Sequence, residues 1–209
     1  NVSEFRCCVV TNQPVVARGE TSFEELRAIH DRLETLLGRE GAFVDGIYVC
    51  PHHPDGGFPG ERPELKRVCE CRKPAPGLVE QALAQFNGDR DASWFIGDSS
   101  VDVEAARRAG VRSILLQTGH AGLDGRCWSQ PDHVMPDLPA AIDFVLEGYD
   151  VVRRSTVAHA DSIDAGDLVL IGGRSRSGKS TFAHCLRDEL LGRGRRVVLL
   201  SADRWLLDE

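Results

Sequence analysis

The sequence contains no run approaching the roughly 18 apolar residues that a membrane-spanning helix requires. It has no excess of positive charge either, because its formal net charge at pH 7 is -7. Proteins that bind nucleic acid or anionic membranes present a basic face instead. Internal repeats and low-complexity segments are also lacking. What remains is a globular composition over 209 residues, enough for one or two domains. We expect its partners to be small molecules, with no nucleic acid and no membrane among them.

The cysteine pattern excludes a secreted disulfide framework, which favours an even number of regularly spaced cysteines in a small domain. The sequence has seven cysteines, and three of them, Cys50, Cys69 and Cys71, cluster with His52. The other four are scattered and are expected to be ordinary thiols: Cys7, Cys8, Cys127 and Cys185. The cysteines therefore predict a metal site in a reducing, cytoplasmic compartment.

Cys50-x-His52 and Cys69-x-Cys71 supply three thiolates and one imidazole, the closed tetrahedral set of a structural zinc site. The loop between the two pairs is rich in glycine and proline and has little apolar content with which to fold. Zinc binding would stabilise the folded loop in place of a hydrophobic core. His53 is the alternative imidazole ligand, and free thiols beside a capping histidine are the alternative without metal.

Hydrophobic periodicity predicts strands that alternate with helices. The predicted strands cover residues 7–11, 46–50, 94–96 and 113–116, and the predicted helices cover residues 23–37, 76–86, 101–109 and 138–146. Ser22 and Glu25 form a capping-box signature before the first helix, and Gly38 is expected to end it. Such alternation indicates an α/β fold, with a mostly parallel, Rossmann-like sheet and helices on both faces.

The pattern also predicts how the chain divides. Residues 51–63 are rich in proline, glycine and histidine and are expected to form a loop. The helical pattern lapses around residues 148–160, and a new strand–loop–helix–strand unit follows over residues 168–200. We predict a first domain over residues 1–150, a linker over 151–165 and the start of a second domain over 166–209.

Polar residues follow the predicted strands where phosphate chemistry would be placed. Thr11 and Asn12 end the first strand, Lys73 precedes a helix, and Asp98 follows the strand at Trp94. Ligands of open parallel sheets sit at the carboxyl ends of the strands. A hydroxyl, a cation and a carboxylate there suit a phosphoryl group and its Mg²⁺. Each feature also has a structural alternative, a backbone cap for the hydroxyl or the carboxylate and a solvated surface for Asp102.

Three segments resemble the haloacid-dehalogenase phosphatase superfamily: Val9-Val-Thr-Asn12, Lys73, and Gly97-Asp98 with Asp102 look like its second, third and fourth motifs. Three further segments resemble the heptose-bisphosphate phosphatase branch of that superfamily. The phosphate loop of the branch is similar to Val10-Thr-Asn-Gln-Pro-Val-Val-Ala-Arg-Gly19. Its zinc loop is similar to Cys50-Pro-His-His-Pro-Asp-Gly56, and its substrate-binding turn is similar to Cys69-Glu-Cys-Arg-Lys-Pro74. The likeness covers residues 5–145. Histidinol-phosphate phosphatases share the zinc loop, but the ending Ala17-Arg18-Gly19 favours the heptose branch.

The resemblance implies Mg²⁺-dependent hydrolysis of a sugar phosphate, the 7-phosphate of a heptose 1,7-bisphosphate. It implies that Thr11 and Lys73 position the transferring phosphoryl group. Asp98, with Asp102, is implied as the Mg²⁺ site. The implied substrate contacts are Asn12, Gln13, Arg72 and Ser99, the last at a place where relatives often carry lysine.

The resemblance also implies a nucleophile that the sequence does not show. The superfamily attacks with the first aspartate of an Asp-x-Asp motif that follows an apolar strand, forming an aspartyl-phosphate. No apolar strand followed by Asp-x-Asp occurs in the sequence, which begins at Asn1. We expect the motif upstream of Asn1, and we expect these residues alone not to turn over substrate. A catalytically silent module that binds sugar phosphates is the alternative. A purely structural zinc protein leaves Thr11, Lys73 and Asp98 unexplained.

A second site is predicted near the end of the sequence. Residues Gly173 to Thr181 fit G-x-x-x-x-G-K-[ST] between an apolar run and a helical pattern, the context that a P-loop requires. Backbone N–H groups from Gly173 to Gly178 and at Thr181 would cradle the phosphates of ATP. Lys179 would reach the terminal phosphates and Ser180 would ligate Mg²⁺. A chance glycine-rich turn is the alternative.

The segment Arg196-Val-Val-Leu-Leu-Ser201-Ala-Asp203 resembles uridine-kinase-like small-molecule kinases. In those kinases an aspartate at the position of Asp203 lies near the acceptor hydroxyl, which makes Asp203 the candidate base. A nucleotide-sensing or ATPase module is the alternative. The sequence thus predicts a zinc-clamped phosphatase fused to a kinase-like domain that binds a nucleoside triphosphate.

Overall fold

The structure is a computed structural model that describes residues 5–172 and 179–199. Five strands and six helices lie in these ranges. In chain order they are β1 (Cys8–Asn12), α1 (Phe23–Arg39), β2 (Gly46–Cys50), α2 (Gly77–Phe86), β3 (Trp94–Gly97), α3 (Ser100–Ala109), β4 (Arg112–Leu116), β5 (His133–Met135), α4 (Leu138–Asp143), α5 (Tyr149–Ala160) and α6 (Lys179–Gly192). A short 3₁₀ turn covers Pro63–Leu65, and a π-helical turn, Phe144–Gly148, joins α4 to α5.

All strand pairs in the described residues are parallel, as the alternating pattern predicts. β1 pairs with β2, with Thr11 opposite Val49, and β3, β4 and β5 form a second sheet in that order. The carboxyl ends of the paired strands therefore lie at one edge of each sheet. The expected single sheet is present as two sheets in the described part of the chain. β5 is too short to have been predicted from periodicity.

The helix ends follow the local sequence closely. Ser22 and Glu25 form the predicted capping box, with Glu25 N donating to Ser22 Oγ at 3.0 Å. Helix α1 continues past Gly38 to Arg39, because the positive φ that ends it is adopted at Gly41. Asn87 ends α2 and Gly110 ends α3 in left-handed conformations.

Two apolar clusters hold the sheets and helices together. Val79 of α2 packs with Ala106 and Ala109 of α3, and this cluster reaches the start of β4 at Val111. A second cluster joins β4 to α4 and the π-helical turn: Ile114, Leu116, Ala141 and Phe144. Burial of these side chains stabilises the β3–β4–β5 sheet and fixes the position of α3 beside it.

The predicted linker over residues 151–165 is helical for most of its length, because α5 extends to Ala160. The irregular composition that suggested a linker is compatible with a helix because another helix covers its apolar side. Ala160 is fully buried against Leu186 and Leu190 of α6. The predicted division into domains at this point stays a prediction.

The strands predicted over residues 168–200 are wrong for the described part of that segment. Residues 168–172 and 195–199 form no strand, and Leu168, Leu170 and Val198 are 81%, 83% and 84% exposed. An apolar run becomes a strand only when another strand satisfies its backbone groups, and none lies beside it in the described residues. None of the helices in residues 5–172 and 179–199 is long and apolar enough to cross a bilayer.

A buried carboxylate, Glu104 of α3, fastens the loop between β4 and β5 to the helix. Glu104 accepts hydrogen bonds from Arg107 Nε at 2.8 Å, from Arg108 Nε at 2.6 Å and from the Ser129 hydroxyl of that loop. Its side chain is 9% exposed. Hydrogen bonds from Arg107 and Ser129 outweigh burial and hold the pKa of Glu104 well below its usual range.

We predict that Glu104→Gln lowers the free energy of unfolding by about 1–2 kcal/mol at pH 7, since a charged network loses its acceptor. The unfolded pKa is about 4.3, and the folded pKa of Glu104 lies below it. The carboxylate's stabilisation is therefore complete above the unfolded pKa and is lost as the pH falls through the folded pKa. Urea denaturation of both proteins from pH 7 to pH 2 measures this difference, and a difference that stays constant over this range would contradict the prediction.

Candidate functional site

The ammonium group of Lys73 lies between β1 and α3, where it meets Asp102, another predicted site residue. Lys73 Nζ donates to Val10 O at 3.0 Å and lies 2.7 Å from Asp102 Oδ1. The two side chains are only 13% and 8% exposed. The contact with Asp102 is an ion pair and not a directed hydrogen bond. Lys73 therefore links the β1–β2 sheet to the sheet that begins at β3.

Asn12, a predicted substrate contact, bonds to the backbone of Lys73. Its side chain donates to Lys73 O at 3.1 Å and accepts from Lys73 N at 3.0 Å, a reciprocal pair that fixes the backbone at Lys73. Gln13 Nε2 donates to Thr11 Oγ1 at 3.0 Å. Gln13 N also bonds to Cys50 O at 2.8 Å, which ties the end of β1 to the end of β2. Asn12 is thus a support for Lys73, while Thr11 and Gln13 stand together at the strand end.

Asp102, predicted to take part in the Mg²⁺ site, lies against Lys73 and the start of α3. One of its oxygens faces Lys73, and the other accepts from Ser99 N at 3.2 Å as part of the capping box of α3. A Cβ at Gly97 would overlap the Asp102 carboxylate, so the helix packs closely on the end of β3. Asp102 is therefore the ion-pair partner of Lys73, and its role as a magnesium ligand stays a prediction.

Asp98 directly follows β3, and the loop after β4 contacts one oxygen of its carboxylate. Asp98 Oδ2 accepts from His120 N at 2.8 Å, and Asp98 O accepts from Gly122 N at 2.8 Å. Gly119 has a φ of +61°, and a Cβ there would overlap the carboxylate. The sequence does contain a signal for this contact, a glycine-rich loop directly after β4, but sequence reasoning missed it.

Ser99, a predicted substrate contact, is buried at the start of α3. Its hydroxyl donates to Asp124 Oδ2 at 2.7 Å and accepts from Val101 N at the start of α3. Asp124 Oδ1 accepts from Ser100 N at 2.8 Å. Burial by itself would raise the pKa of Asp124, but the hydrogen bonds from Ser99 and Ser100 lower it to about 2. Sequence reasoning missed Asp124, since nothing in its local pattern separates it from a surface residue.

The four predicted zinc ligands form one cluster, with their ligand atoms within 4.8 Å of one another. The pairwise distances are 3.5 Å for Cys50 Sγ–Cys69 Sγ, 3.2 Å for Cys50 Sγ–Cys71 Sγ, 3.3 Å for Cys69 Sγ–Cys71 Sγ and 3.3 Å for His52 Nδ1–Cys71 Sγ. Tetrahedral Zn²⁺ would separate its ligand atoms by about 3.5–3.8 Å, given bonds of about 2.3 Å to sulfur and 2.0 Å to nitrogen. The donor set and its spacing fit zinc. His53 lies outside the cluster, against Asp55 and Phe58.

The zinc cluster is coupled to both neighbouring loops. Arg72 Nη1 donates to His52 O at 3.1 Å, so the predicted substrate arginine is anchored on the zinc loop. Arg62 N donates to Ala17 O at 2.9 Å. A Cβ at Gly19 would overlap Gly60 O, so the loop after β1 and the zinc loop approach as closely as their backbones allow. Metal binding there would set the outline of the phosphate-handling edge.

Of the predicted P-loop, only Lys179 and Thr181 lie wholly in the described residues, at the start of α6, and Thr181 is buried. Gly173, Gly178, Asp203 and the side chain of Ser180 lie outside them. The expected helix directly after the motif is present as Lys179–Gly192. The nucleotide site itself stays a prediction.

Comparison with known proteins bears on the first site. A family model described as HAD-hydrolase-like matches residues 70–141. The D-glycero-D-manno-heptose-1,7-bisphosphate 7-phosphatase of Chlorobaculum tepidum is 39% identical over 157 residues, covering 71% of this chain and 76% of the relative. The chain belongs to the haloacid-dehalogenase-like phosphatases of this heptose-bisphosphatase type.

Other members of the family agree in sequence and in structure. The D-glycero-beta-D-manno-heptose-1,7-bisphosphate 7-phosphatase of Yersinia pestis is 40% identical over 116 residues, 55% of this chain and 60% of the relative. The crystal structure of D,D-heptose 1,7-bisphosphate phosphatase from B. bronchiseptica, complexed with magnesium and phosphate, superposes with a TM-score of 0.58 at 34% identity. It covers 68% of this chain and 75% of that chain. The resemblance stated from the motifs is thereby confirmed for the phosphatase part.

We predict that zinc binding to the metal-free protein at pH 7 releases about two to three protons, because thiolates are the ligands and the site holds protonated thiols. Burial raises the pKa of Cys50 and of Cys71. Calorimetric titration with Zn²⁺ in buffers of different ionisation enthalpy measures the proton release. Cys69→Ser should bind zinc far more weakly, whereas Cys127→Ser, a thiol outside the cluster, should bind it as the unchanged protein does. Zinc uptake without proton release would sink the assignment.

Proposed function

We propose that this chain carries out the phosphate-binding and metal-binding part of a Mg²⁺-dependent sugar phosphate monoester hydrolysis. The observation that carries the proposal is the position of Lys73 Nζ. It is held by Val10 O of β1, the strand that continues to Thr11, and by Asp102 of α3, the helix that begins just after Asp98. A cation fixed there neutralises charge that builds up on the phosphoryl oxygens. Its orientation costs nothing during the reaction, since the ion pair with Asp102 exists beforehand.

Asp98 fits a divalent magnesium ion by its chemistry and its surroundings. One carboxylate oxygen is fixed by His120 N, and Mg²⁺ prefers one or two carboxylates together with phosphate oxygens. Bound Mg²⁺ would offset the negative charge of the substrate phosphate. Asp98 would hold the ion, Thr11 would donate its hydroxyl to the phosphoryl group, and Gln13, bonded to Thr11, would orient that hydroxyl.

Arg72 is the candidate for substrate contact at the sugar end. Its guanidinium is fixed by His52 O, so a zinc-bound loop would present it at a constant position. The attacking carboxylate of the family's Asp-x-Asp motif has no counterpart after an apolar strand in this sequence. We therefore assign to these residues the orientation of phosphate and metal, and not the attack.

The proposed substrate is the 7-phosphate of D-glycero-D-manno-heptose 1,7-bisphosphate, in the cytoplasm, where thiolate zinc sites persist. Names of relatives support the heptose. The ending Ala17-Arg18-Gly19 adds support over a histidinol phosphate. In the structure Ala17 is fully buried and Gly19 lies against Gly60, so this loop has no room for larger residues.

To test the proposal, phosphate release from heptose 1,7-bisphosphate and from histidinol phosphate is measured with Mg²⁺, using the full-length gene product. We expect the heptose to be the better substrate, and Lys73→Met to lower kcat about 10²–10³-fold, because a preorganised charge at the phosphoryl group is lost. Lys66→Met is the matched control, since Lys66 pairs with Glu61 on the zinc loop. We expect it to stay within about twofold of the unchanged protein.

Two outcomes would contradict the proposal. Equal rates for Lys73→Met and the unchanged protein would remove Lys73 from the chemistry. No phosphate release from either substrate, together with retained binding of the sugar phosphate, would favour the silent binding module.

We further propose that residues 166–209 begin a kinase-like domain that binds ATP. The supporting observation is α6, which begins at Lys179 directly after the glycine-rich motif, where the helix that follows a P-loop is expected. Lys179→Ala is expected to weaken binding of a fluorescent ATP analogue at least about tenfold, because a charge-assisted contact to phosphate is lost. Unchanged affinity would contradict this assignment. Hydrolysis of ATP without transfer to a sugar would favour an ATPase module.

A further inference from the structure

Polar contacts, not apolar ones, fasten the loop between β4 and β5 to α3. Leu123 and Trp128 of this loop are 88% and 93% exposed, so burial of apolar surface does not hold it. Cys127 N donates to Ser100 Oγ at 3.0 Å. The Ser129 hydroxyl donates to Glu104. Asp124 makes the contact closest to the strand edge.

Asp124 belongs to the loop, but its carboxylate lies on the first turn of α3. The Ser99 hydroxyl donates to Oδ2 at 2.7 Å and Ser100 N donates to Oδ1 at 2.8 Å. The side chain is 5% exposed, and Arg126 Nε lies 3.9 Å from Oδ2. A negative charge is favourable at this end of a helix because it faces unpaired backbone N–H groups. The carboxylate thus bonds to the two residues that directly follow Asp98.

The same loop holds Asp98 from its other end. His120 N donates to Asp98 Oδ2 at 2.8 Å, and Gly122 N donates to Asp98 O at 2.8 Å. Gly119 leaves no room for a Cβ beside the carboxylate. Segments 98–100 and 119–124 are therefore joined at both ends, by backbone bonds at Asp98 and by the Asp124 carboxylate at Ser99 and Ser100.

We propose that Asp124 is a positioning residue that holds the Asp98 carboxylate in the orientation that accepts a divalent cation. This inference rests on the proposed function, in which Asp98 holds Mg²⁺. Asp124 does not contact the cation. It keeps the loop on α3 so that His120 N stays bonded to Oδ2 and the orientation of the carboxylate is set before metal binding.

Loss of Asp124 leaves the loop without its bridge at the strand edge. Residues 119–122 then keep the two bonds to Asp98 itself, while Cys127 and Ser129 attach the later part of the loop to Ser100 and Glu104. The His120 N–H would then sample positions away from Asp98, and the carboxylate would rotate. Residues that orient a metal ligand cost about 10–100-fold in metal affinity when they are removed.

The test uses Mn²⁺ as a paramagnetic replacement for Mg²⁺. The zinc-loaded, full-length protein is titrated with Mn²⁺, and free Mn²⁺ is measured from its electron paramagnetic resonance signal. We expect Asp124→Ala to weaken Mn²⁺ binding about 10–100-fold. Asp124→Asn, which retains one acceptor oxygen, is expected to weaken it less.

Asp137→Ala is the matched control for a purely structural loss. Asp137 also caps a helix from a loop, with Ala140 N donating to it at 2.9 Å, but it caps α4 and has no contact with Asp98 among the described residues. We expect it to lower the melting temperature in the way Asp124→Ala does, without changing Mn²⁺ affinity.

The outcomes separate the inference from the proposed function. Unchanged Mn²⁺ affinity in Asp124→Ala overturns the inference, and so does an equal loss in Asp137→Ala. Unchanged affinity in Asp98→Asn overturns the proposed metal site, and with it the proposed function. Loss in Asp98→Asn and in Asp124→Ala, with none in Asp137→Ala, supports both.

Discussion

The ion pair between Lys73 and Asp102 connects the two halves of the phosphatase fold. The Lys73 ammonium lies at the end of a turn that begins in the zinc loop, and it reaches both Val10 O of β1 and the carboxylate at the start of α3. Removal of the cation would leave a nearly buried carboxylate without its charged partner, which proteins tolerate poorly. Asn12 supports this arrangement, since it fixes the backbone of Lys73 through two hydrogen bonds. The position of Thr11 relative to α3 follows from this pair.

The zinc cluster affects the same region of the protein indirectly, through Arg72 and the loop that follows β1. Its four ligands close a loop that has little apolar content, and Arg72 bonds to that loop through His52 O. The backbone contact of Gly19 with Gly60 then transmits the shape of the zinc loop to the loop that follows β1. Zinc in this position would determine where Arg72 and the loop after β1 lie, while in the proposed function the chemistry depends on Lys73 and Asp98.

Features that depend on neighbours in the chain could be predicted from the sequence. The capping box at Ser22, the left-handed stop at Gly110 and the ligands of the zinc cluster each follow from residue type and spacing. The protein contacts of Asp102 and Ser99 could not be predicted. Both follow strand β3, where ligands commonly bind, but their side chains are bonded to Lys73 and to Asp124, which are distant in sequence. The strand predicted over residues 168–172 is absent for a related reason. A strand forms only beside a neighbouring strand, and the local sequence pattern does not show whether that neighbour is present.

The sequence by itself determined the kinds of groups available: a lysine and a carboxylate after strands, three thiols with an imidazole, and a glycine-rich motif before a helix. It also determined most helix and strand positions, because periodicity and caps act over a few residues. Only the tertiary structure decided which carboxylate faces Lys73 and which remains at the strand edge. A carboxylate has the same chemistry at Asp98, Asp102 and Asp124, and its role depends on which donors the fold places within hydrogen-bond distance.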